Sequence, residues 1–486
     1  MSQLPKGWVG CKLGNIVDYG KTVKADMTNI DDETWVLELE DLEKDSSKIL
    51  QRVSFGERKP KSAKNAFKAG DVLYGKLRPY LNKMVVAPED GICTSEIIPL
   101  KVPTGLVDNR FLFYWLKGRI FGDYVNAVSY GVNMPRLGTK DGLNAPMVLA
   151  PTAEQTRIVE KLDEVLAQVD TIKARLDGIP AILKRFRQSV LAAAVSGRLT
   201  EEWRGNHPAL DSTHEVANII ESRKAIVAKR MQVPQEHLKN EEYPIPDSWT
   251  WTSLDALSSK IVDGVHHKPE YVDEGIPFMS VKDINGGKLS FDNCKYISQV
   301  THEEIHPRCN PCRGDLLITK SGTIGRTAII KTDDIFDLFV SVALIKPASS
   351  LVNMEFINIA LMHWVNSIDV SSRVVGTAIK NLHLRDMRVL AVPFAPLEEQ
   401  KEIVRLVDQY FAFADTIETQ VKKAQARVDK LTQSILAKAF RGELVPQDPS
   451  DEPADKLLER IAAARKEAEA LAKAAKKAGR KVKATS

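Results

Sequence analysis

Two short stretches carry side chains better suited to gripping a ligand than to reacting with one. The first is Gly75-Lys76-Leu77-Arg78-Pro79-Tyr80-Leu81-Asn82-Lys83, and the second is Thr319-Lys320-Ser321-Gly322-Thr323-Ile324-Gly325-Arg326. Lys and Arg bind phosphate or a guanine edge, Asn reads adenine, and hydroxyls serve either. This mixture predicts DNA contacts from Lys76, Arg78, Tyr80, Asn82 and Lys83 in one stretch. In the other it predicts them from Lys320, Ser321, Thr323 and Arg326. A further pair, Asn133-Met134-Pro135-Arg136 and Lys380-Asn381-Leu382-His383, adds Asn133, Arg136, Lys380 and Asn381. Glycines among these groups let backbone approach a sugar-phosphate closely. A solvated hairpin tip has a similar composition, so the informative point is different chemistry at matching places in the chain.

Reactive constellations are weaker. His302, His306, Cys309 and Cys312 offer four zinc ligands within eleven residues, the histidines at helical spacing and the cysteines on a turn. A lone Cys-x-x-Cys is unspecific, and the matching stretch from Arg58 to Lys68 has neither His nor Cys, so no metal is assigned. The run from Gly14 to Thr22 has five residues between its glycines where a phosphate loop needs four. Asp45 with Glu57-Arg58-Lys59 has the residue types of a metal-dependent nuclease but lacks a β-run to hold them. There is no Gly-x-Ser-x-Gly elbow, no glycine-rich loop for a methyl donor and no Asn- or Asp-Pro-Pro-aromatic tetrapeptide. Catalysis within this chain is therefore not expected.

The elements that must position the loops occur twice. Ala150-Pro151-Thr152-Ala153-Glu154-Gln155 is answered 245 residues later by Ala395-Pro396-Leu397-Glu398-Glu399-Gln400. Gln188-Ser189-Val190-Leu191-Ala192 is answered by Gln433-Ser434-Ile435-Leu436-Ala437, and Gly197 and Leu199 by Gly442 and Leu444. The copies open on Pro5 to Trp8 and on Pro246 to Trp249. A repeat this long is a pair of domains, not a solenoid unit. In each copy a glycine (Gly70, Gly314) precedes a β-prone run, Asp71–Tyr74 or Asp315–Ile318, followed by Met84–Ala87 or Thr327–Ile330. Residues 110–116 and 355–361 read as buried amphipathic helices.

A long helix closes each copy. Ile158, Leu162, Val165, Val169, Ile172, Leu176, Ile179, Leu183, Phe186 and Val190 step by fours and threes. Ile403, Val407, Tyr410, Ala414, Ile417, Val421, Ala424, Val428, Leu431 and Ile435 do the same. A sustained 3.5-residue period is a coiled-coil seam, and two matching seams in one chain pack together. Thr152 with Gln155 reads as a capping box, and Pro180 as a kink. Such a helix, roughly 40 residues, spans about 60 Å; paired antiparallel, the two would form a rod with a globular domain near each end. Residues 200–243 are polar with a helix near 215–230, and the Ala/Lys/Arg-rich stretch from Glu452 reads as a helix with a solvated face and a frayed basic end.

The bounds agree. An apolar fraction of 43% and a charged fraction of 27% over 486 residues suit two globular domains. A net charge of +4 permits nucleic acid without demanding it. No run approaches 18 apolar residues, the start lacks a secretory signal, and five scattered cysteines suit a reducing cytoplasm.

With these motifs in duplicate, the chain resembles the specificity subunit of type I restriction-modification enzymes over essentially its whole length. The resemblance rests on Pro-x-x-Trp, the Gly-Asp-x-Leu strand and Ala-Pro-x-x-Glu-Gln before a long helix. It implies an α+β fold of two mixed α/β target recognition domains separated by two long antiparallel helices, with a pseudo-twofold internal repeat. Recognition domains are expected at 1–150 and 244–394, spacer helices at 151–199 and 395–445, a linker at 200–243 and a helical tail at 446–486. The family's subunit binds a bipartite asymmetric site on double-stranded DNA and scaffolds two modification and the restriction subunits. No cofactor is expected in this chain, with S-adenosylmethionine, ATP and Mg on those partners, in the cytoplasm. Two other classes stay open: a self-contained methyltransferase or restriction enzyme, and a coiled-coil scaffold without DNA.

Overall fold

The computed structural model describes residues 4–239, 243–367, 374–375 and 381–483. Its packing divides the chain into a first unit, Met1–Asp177 with Lys422–Ser486, and a second, Gly178–Val421. The long helices run Thr152–Val195 and Leu397–Ala439, so each unit holds one mixed domain and a part of both helices. Among the described residues no helix is long and apolar enough to cross a membrane.

In the first unit Val9–Lys12 pairs antiparallel with Pro146–Leu149, bringing the start of the domain to its end. Val72–Gly75 is the central strand of a three-stranded sheet, flanked by Met84–Val86 and Ile97–Leu100. Asn109–Lys117 is capped by Asp108, whose side chain accepts from the amides of Arg110 and Phe111, and it buries Phe111 through Leu116 without a break. The second unit repeats the plan. Thr250–Ser253 pairs with Ala391–Phe394, Leu316–Thr319 lies between Thr327–Ile329 and Val342–Pro347, and Met354–Ser367 is the buried helix. The central strand meets its hairpin partner in matching register, Val72 opposite Val86 and Leu316 opposite Ile329.

The Ala-Pro-x-x-Glu-Gln motif proves to be a joint. Trp8 Nε1 donates to Glu154 Oε2 at 2.9 Å, and Trp249 Nε1 donates to Glu399 Oε2 at 2.9 Å. Gln155 Nε2 donates to the Ala150 carbonyl while its Oε1 accepts from the Asp108 amide; Gln400 does the same with Ala395 and Asn353. The capping-box reading of Thr152 is therefore corrected. Gln155 turns inward to satisfy the loop ahead of the buried helix, and Thr152 is itself the first helical residue.

The long helices pair antiparallel within each unit. In the first, Lys173 meets Asp429 at 2.9 Å and Gln425 donates to Asp177 at 2.7 Å. In the second, Arg187 bridges Asp415 and Glu418 at 2.6 and 3.2 Å. Ile158, Leu162, Ile403 and Val407 are fully buried, but Ile172, Tyr410 and Leu431 are about two-fifths exposed, because two helices alone cannot cover both sides of a seam. The first helix continues unbroken through Pro180.

Each helix end docks where the Pro-x-x-Trp motif begins. Gly197 and Gly442 close the helices at φ +73° and +72°, and a Cβ there would lie 2.4 Å from Pro246 Cγ and Pro5 Cγ respectively. Only glycine meets both the left-handed backbone and the close approach.

The tail corrects the sequence reading. Its helix, Ala454–Lys483, starts with the Ala454 amide donating to the Gly7 carbonyl and buries Ala454, Leu457 and Ile461 in the first unit's core. Ser212–Ile226 occupies the same place in the second unit: the Ser212 amide donates to the Ser248 carbonyl, and Val216 and Ile219 are buried. Arg465 donates to the Gly14 carbonyl at 2.7 Å and pairs with Asp18; Arg223 donates to the Ser258 carbonyl at 2.9 Å and pairs with Asp255. The start of the tail thus repeats the polar linker, and the apolar face of its first turns, Ala454 to Ile461, is covered, not solvated.

Candidate nucleic-acid interface

In the first unit the hairpin after Val72–Gly75 is not an isolated tip. The Arg78 amide donates to the Pro135 carbonyl at 2.7 Å and the Leu137 amide to the Lys76 carbonyl at 3.1 Å, so residues 76–78 are zipped to 135–137. Two predicted clusters thereby become one surface. Arg78 and Asn82 flank a single turn, Pro79–Leu81, and both adopt left-handed backbone at φ 47° and 50°. That conformation costs a non-glycine residue on the order of 1 kcal/mol and concentrates at ligand-clamping sites. Arg78 and Asn133 are exposed, and Tyr80 is 53% exposed.

Not every predicted contact points outward. Lys83 Nζ donates to the Leu39 carbonyl at 2.7 Å, which ties the hairpin base to the short helical turn Leu39–Asp41. Arg136 forks onto Glu96 at 3.1 and 3.3 Å, half-buried. The same surface holds Tyr130, Val132 and Met134, exposed at 62%, 100% and 46%. Tyr130 and Val132 were not among the residues expected from sequence; large apolar side chains left uncovered beside cations mark an interaction surface.

The second unit builds the equivalent loop differently. The Thr319 amide donates to the Arg326 carbonyl at 2.8 Å, while Thr319 Oγ1 donates to the Thr323 carbonyl and accepts from the Arg326 amide. The Leu382 amide donates to the Lys320 carbonyl at 2.8 Å, the counterpart of Leu137 on Lys76, so Asn381–Leu382 comes beside the loop. Lys380 lies outside the described residues. Ser321, Thr323 and Arg326 retain exposure at the tip, with Arg326 Nη1 also donating to the Ile284 carbonyl at 3.3 Å. Lys320 is corrected as a surface contact: it is 4% exposed and pairs with the buried Asp263 at 3.0 Å. Asp263 also accepts from Arg308 at 2.7 Å, and these donors hold its carboxyl below the usual range against the opposing effect of burial. His266, not among the residues expected from sequence, reaches the same carboxylate at 3.3 Å from an exposed position.

The rejected nuclease set has structural duties. Glu57 closes a capping box on Ser54, and Arg58 forks onto the buried Asp41 at 2.8 Å twice. Of the four zinc candidates, His302 and His306 come together on Asp337, which the sequence did not single out. Cys309 instead donates to the Asp263 carbonyl, and burial pushes its thiol up to about 11; Cys312 is exposed and faces the Asn310 carbonyl.

Two copies of one mixed domain, each presenting a polar loop pair and carrying part of an antiparallel helix pair, define a duplicated recognition protein. Residues 266–425 match the family model described as type I restriction modification DNA specificity domain. The chain is 36% identical over 415 residues to the type I restriction enzyme EcoBI specificity subunit of Escherichia coli, covering 82% of this chain and 80% of that one. It is 33% identical to the EcoKI specificity subunit of Escherichia coli strain K12, covering 78% and 75%. Its fold is similar to a chain from a structure of type I R-M complex assembly, with TM-score 0.68 at 18% identity, covering 91% of this chain and 100% of that one. It is also similar to the HsdS subunit from Thermoanaerobacter tengcongensis, with TM-score 0.56 at 19% identity, covering 91% and 98%. The chain belongs to the family of type I restriction-modification specificity subunits.

Proposed function

We propose that this chain selects the DNA target of a type I restriction-modification complex, reading a bipartite asymmetric site with one half per domain. The carrying observation is the pair of loops joined by the same backbone bond in both units, Leu137 to Lys76 and Leu382 to Lys320, around different side chains. Equivalent scaffolds with unlike tips are what two heads for two sequences require. Arg78, Tyr80, Asn82, Asn133 and the Lys76 ammonium face one half-site, with Arg136 and Lys83 as props. Ser321, Thr323 and Arg326 face the other, and Lys380 and Asn381 are assigned to it on sequence alone. The chain's own residues orient DNA; methyl transfer from S-adenosylmethionine and ATP- and Mg-dependent restriction belong to partner subunits, two of them modification subunits. The working location is the cytoplasm.

The test is replacement at the tips in the assembled modification complex. A good base contact contributes about 1–3 kcal/mol, so Arg78→Ala is expected to weaken binding of the cognate site about 5- to 150-fold and relax one half of it. Arg326→Ala relaxes the other half. Equal loss on cognate and scrambled DNA for both variants would reduce these residues to phosphate contacts.

The paired helices set the gap between half-sites in this account. Inserting four residues before Leu162 moves one end by roughly 6 Å, and mapping methylated sites is expected to show a gap altered by one to two base pairs. An unchanged gap would remove the ruler role.

A further inference from the structure

The helix Gln299–Cys309 is capped by Ser298, whose side chain accepts from the Thr301 amide, and it places His302 and His306 one turn apart on one face. Their rings lie 4.5 Å apart. His302 Nδ1 is 2.6 Å from Asp337 Oδ2, and His306 Nδ1 is 2.9 Å from Asp337 Oδ1. Asp337 is 2% exposed and opens the strand Asp337–Leu338, which pairs with Ile276–Met279. His306 Nε2 faces Asn310 Oδ1 at 3.0 Å. An amide oxygen can only accept, so Nε2 carries a proton, and Nδ1 meets the carboxylate either through a second proton or across a bound cation.

We propose that His302, His306 and Asp337 form a zinc site that braces the second recognition domain. Two imidazoles and one carboxylate are the donors of three-ligand zinc sites, with a fourth position left for water. The ligating atoms lie within 4.8 Å of one another. Tetrahedral ligands at about 2.0–2.1 Å from zinc stand about 3.3 Å apart, so the two His–Asp337 pairs, at 2.6 and 2.9 Å, open by about 0.4–0.7 Å to admit it. The Asn310 contact is the outer hydrogen bond that fixes a ligating histidine's tautomer. The cysteines play no part, since Cys309 and Cys312 turn to the Asp263 and Asn310 carbonyls. The site bears on the reading loop through its own helix. Arg308 donates to the Asp263 carboxylate, which in turn holds Lys320 at the loop's base. The matching stretch of the first unit, Arg58 to Lys68, has no His or Cys, so the brace belongs to one domain alone.

The experiment uses the full chain stripped of metal, titrated with Zn2+ by calorimetry and with Co2+ by absorption. One equivalent of Zn2+, a raised melting temperature and tetrahedral Co2+ d–d bands without a thiolate charge-transfer band are expected. His302→Ala/His306→Ala and Asp337→Asn should each weaken uptake more than about 100-fold, while Cys309→Ser/Cys312→Ser keeps it. No uptake by the wild-type chain overturns the proposal and leaves a proton between the groups. Uptake that survives the histidine variant, or a thiolate band in the wild-type spectrum, overturns the ligand set. The wild-type Co2+ spectrum decides even if a variant fails to fold.

Discussion

Leu457→Ala/Ile461→Ala is expected to melt the first unit while leaving the second folded, although both changes lie in a tail that reads as a solvated basic appendage. Leu457 and Ile461 are 1% and 0% exposed within the first unit's core. Truncating a buried Leu or Ile to Ala costs about 2–5 kcal/mol each, and a domain's whole stability is about 5–15 kcal/mol. The pair therefore removes a large share of what holds the unit together. Thermal unfolding followed by intrinsic fluorescence should split into two transitions, the lower one belonging to the first unit. Arg465→Ala, which loses the Gly14 carbonyl and Asp18, should shift that transition in the same direction by less. A single unshifted transition in the double variant would return the tail to solvent.

The second large effect is an asymmetry between matching glutamates. Glu399 accepts from Trp249 on one oxygen and from Thr200 and Arg204 on the other, at 2.7 and 2.5 Å. Glu154 accepts from Trp8, but its Oε1 is buried with no hydrogen-bond partner among the described residues. The places of Thr200 and Arg204 fall on Val445 and Pro449 at the 245-residue shift. In Glu399→Gln the new amide must face a donor on one side, at a cost of about 1–3 kcal/mol. In Glu154→Gln the amide fills the empty side and the oxygen keeps Trp8, so stability should change little or rise. Burial pushes the Glu154 carboxyl above its ordinary range, against the Trp8 hydrogen bond and Arg157. A carboxyl raised on folding favours the folded state at low pH and loses that contribution as pH rises through its folded value. Glu154→Gln should therefore flatten the first unit's loss of melting temperature above the ordinary carboxylate range. Equal destabilisation by both substitutions would show that the two joints are equivalent after all.

Much of this organisation was legible because it is written in local period and in repetition. The strands at 72–75 and 316–319 follow from apolar runs after a turn, and the helix pair from its 3.5-residue seam. What stayed hidden depends on distant partners. Gln155 resembles a cap until its amide is seen satisfying Ala150 and Asp108. Lys320 resembles a phosphate ligand until Asp263, 57 positions earlier in the sequence, is found beneath it. The tail escaped because it shares no motif with the linker; its only trace is the spacing Ala454, Ile461, Arg465 against Ser212, Ile219, Arg223. That spacing preserves a buried face and a basic anchor while the exposed residues diverge.

Exchange of residues 1–150 for those of a relative, followed by sequencing of every methylated site made by the assembled complex, tests the central claim most directly. Independent heads on one scaffold predict that one half of the recognised sequence is replaced while the other half and the gap persist. Alteration of both halves together would contradict it.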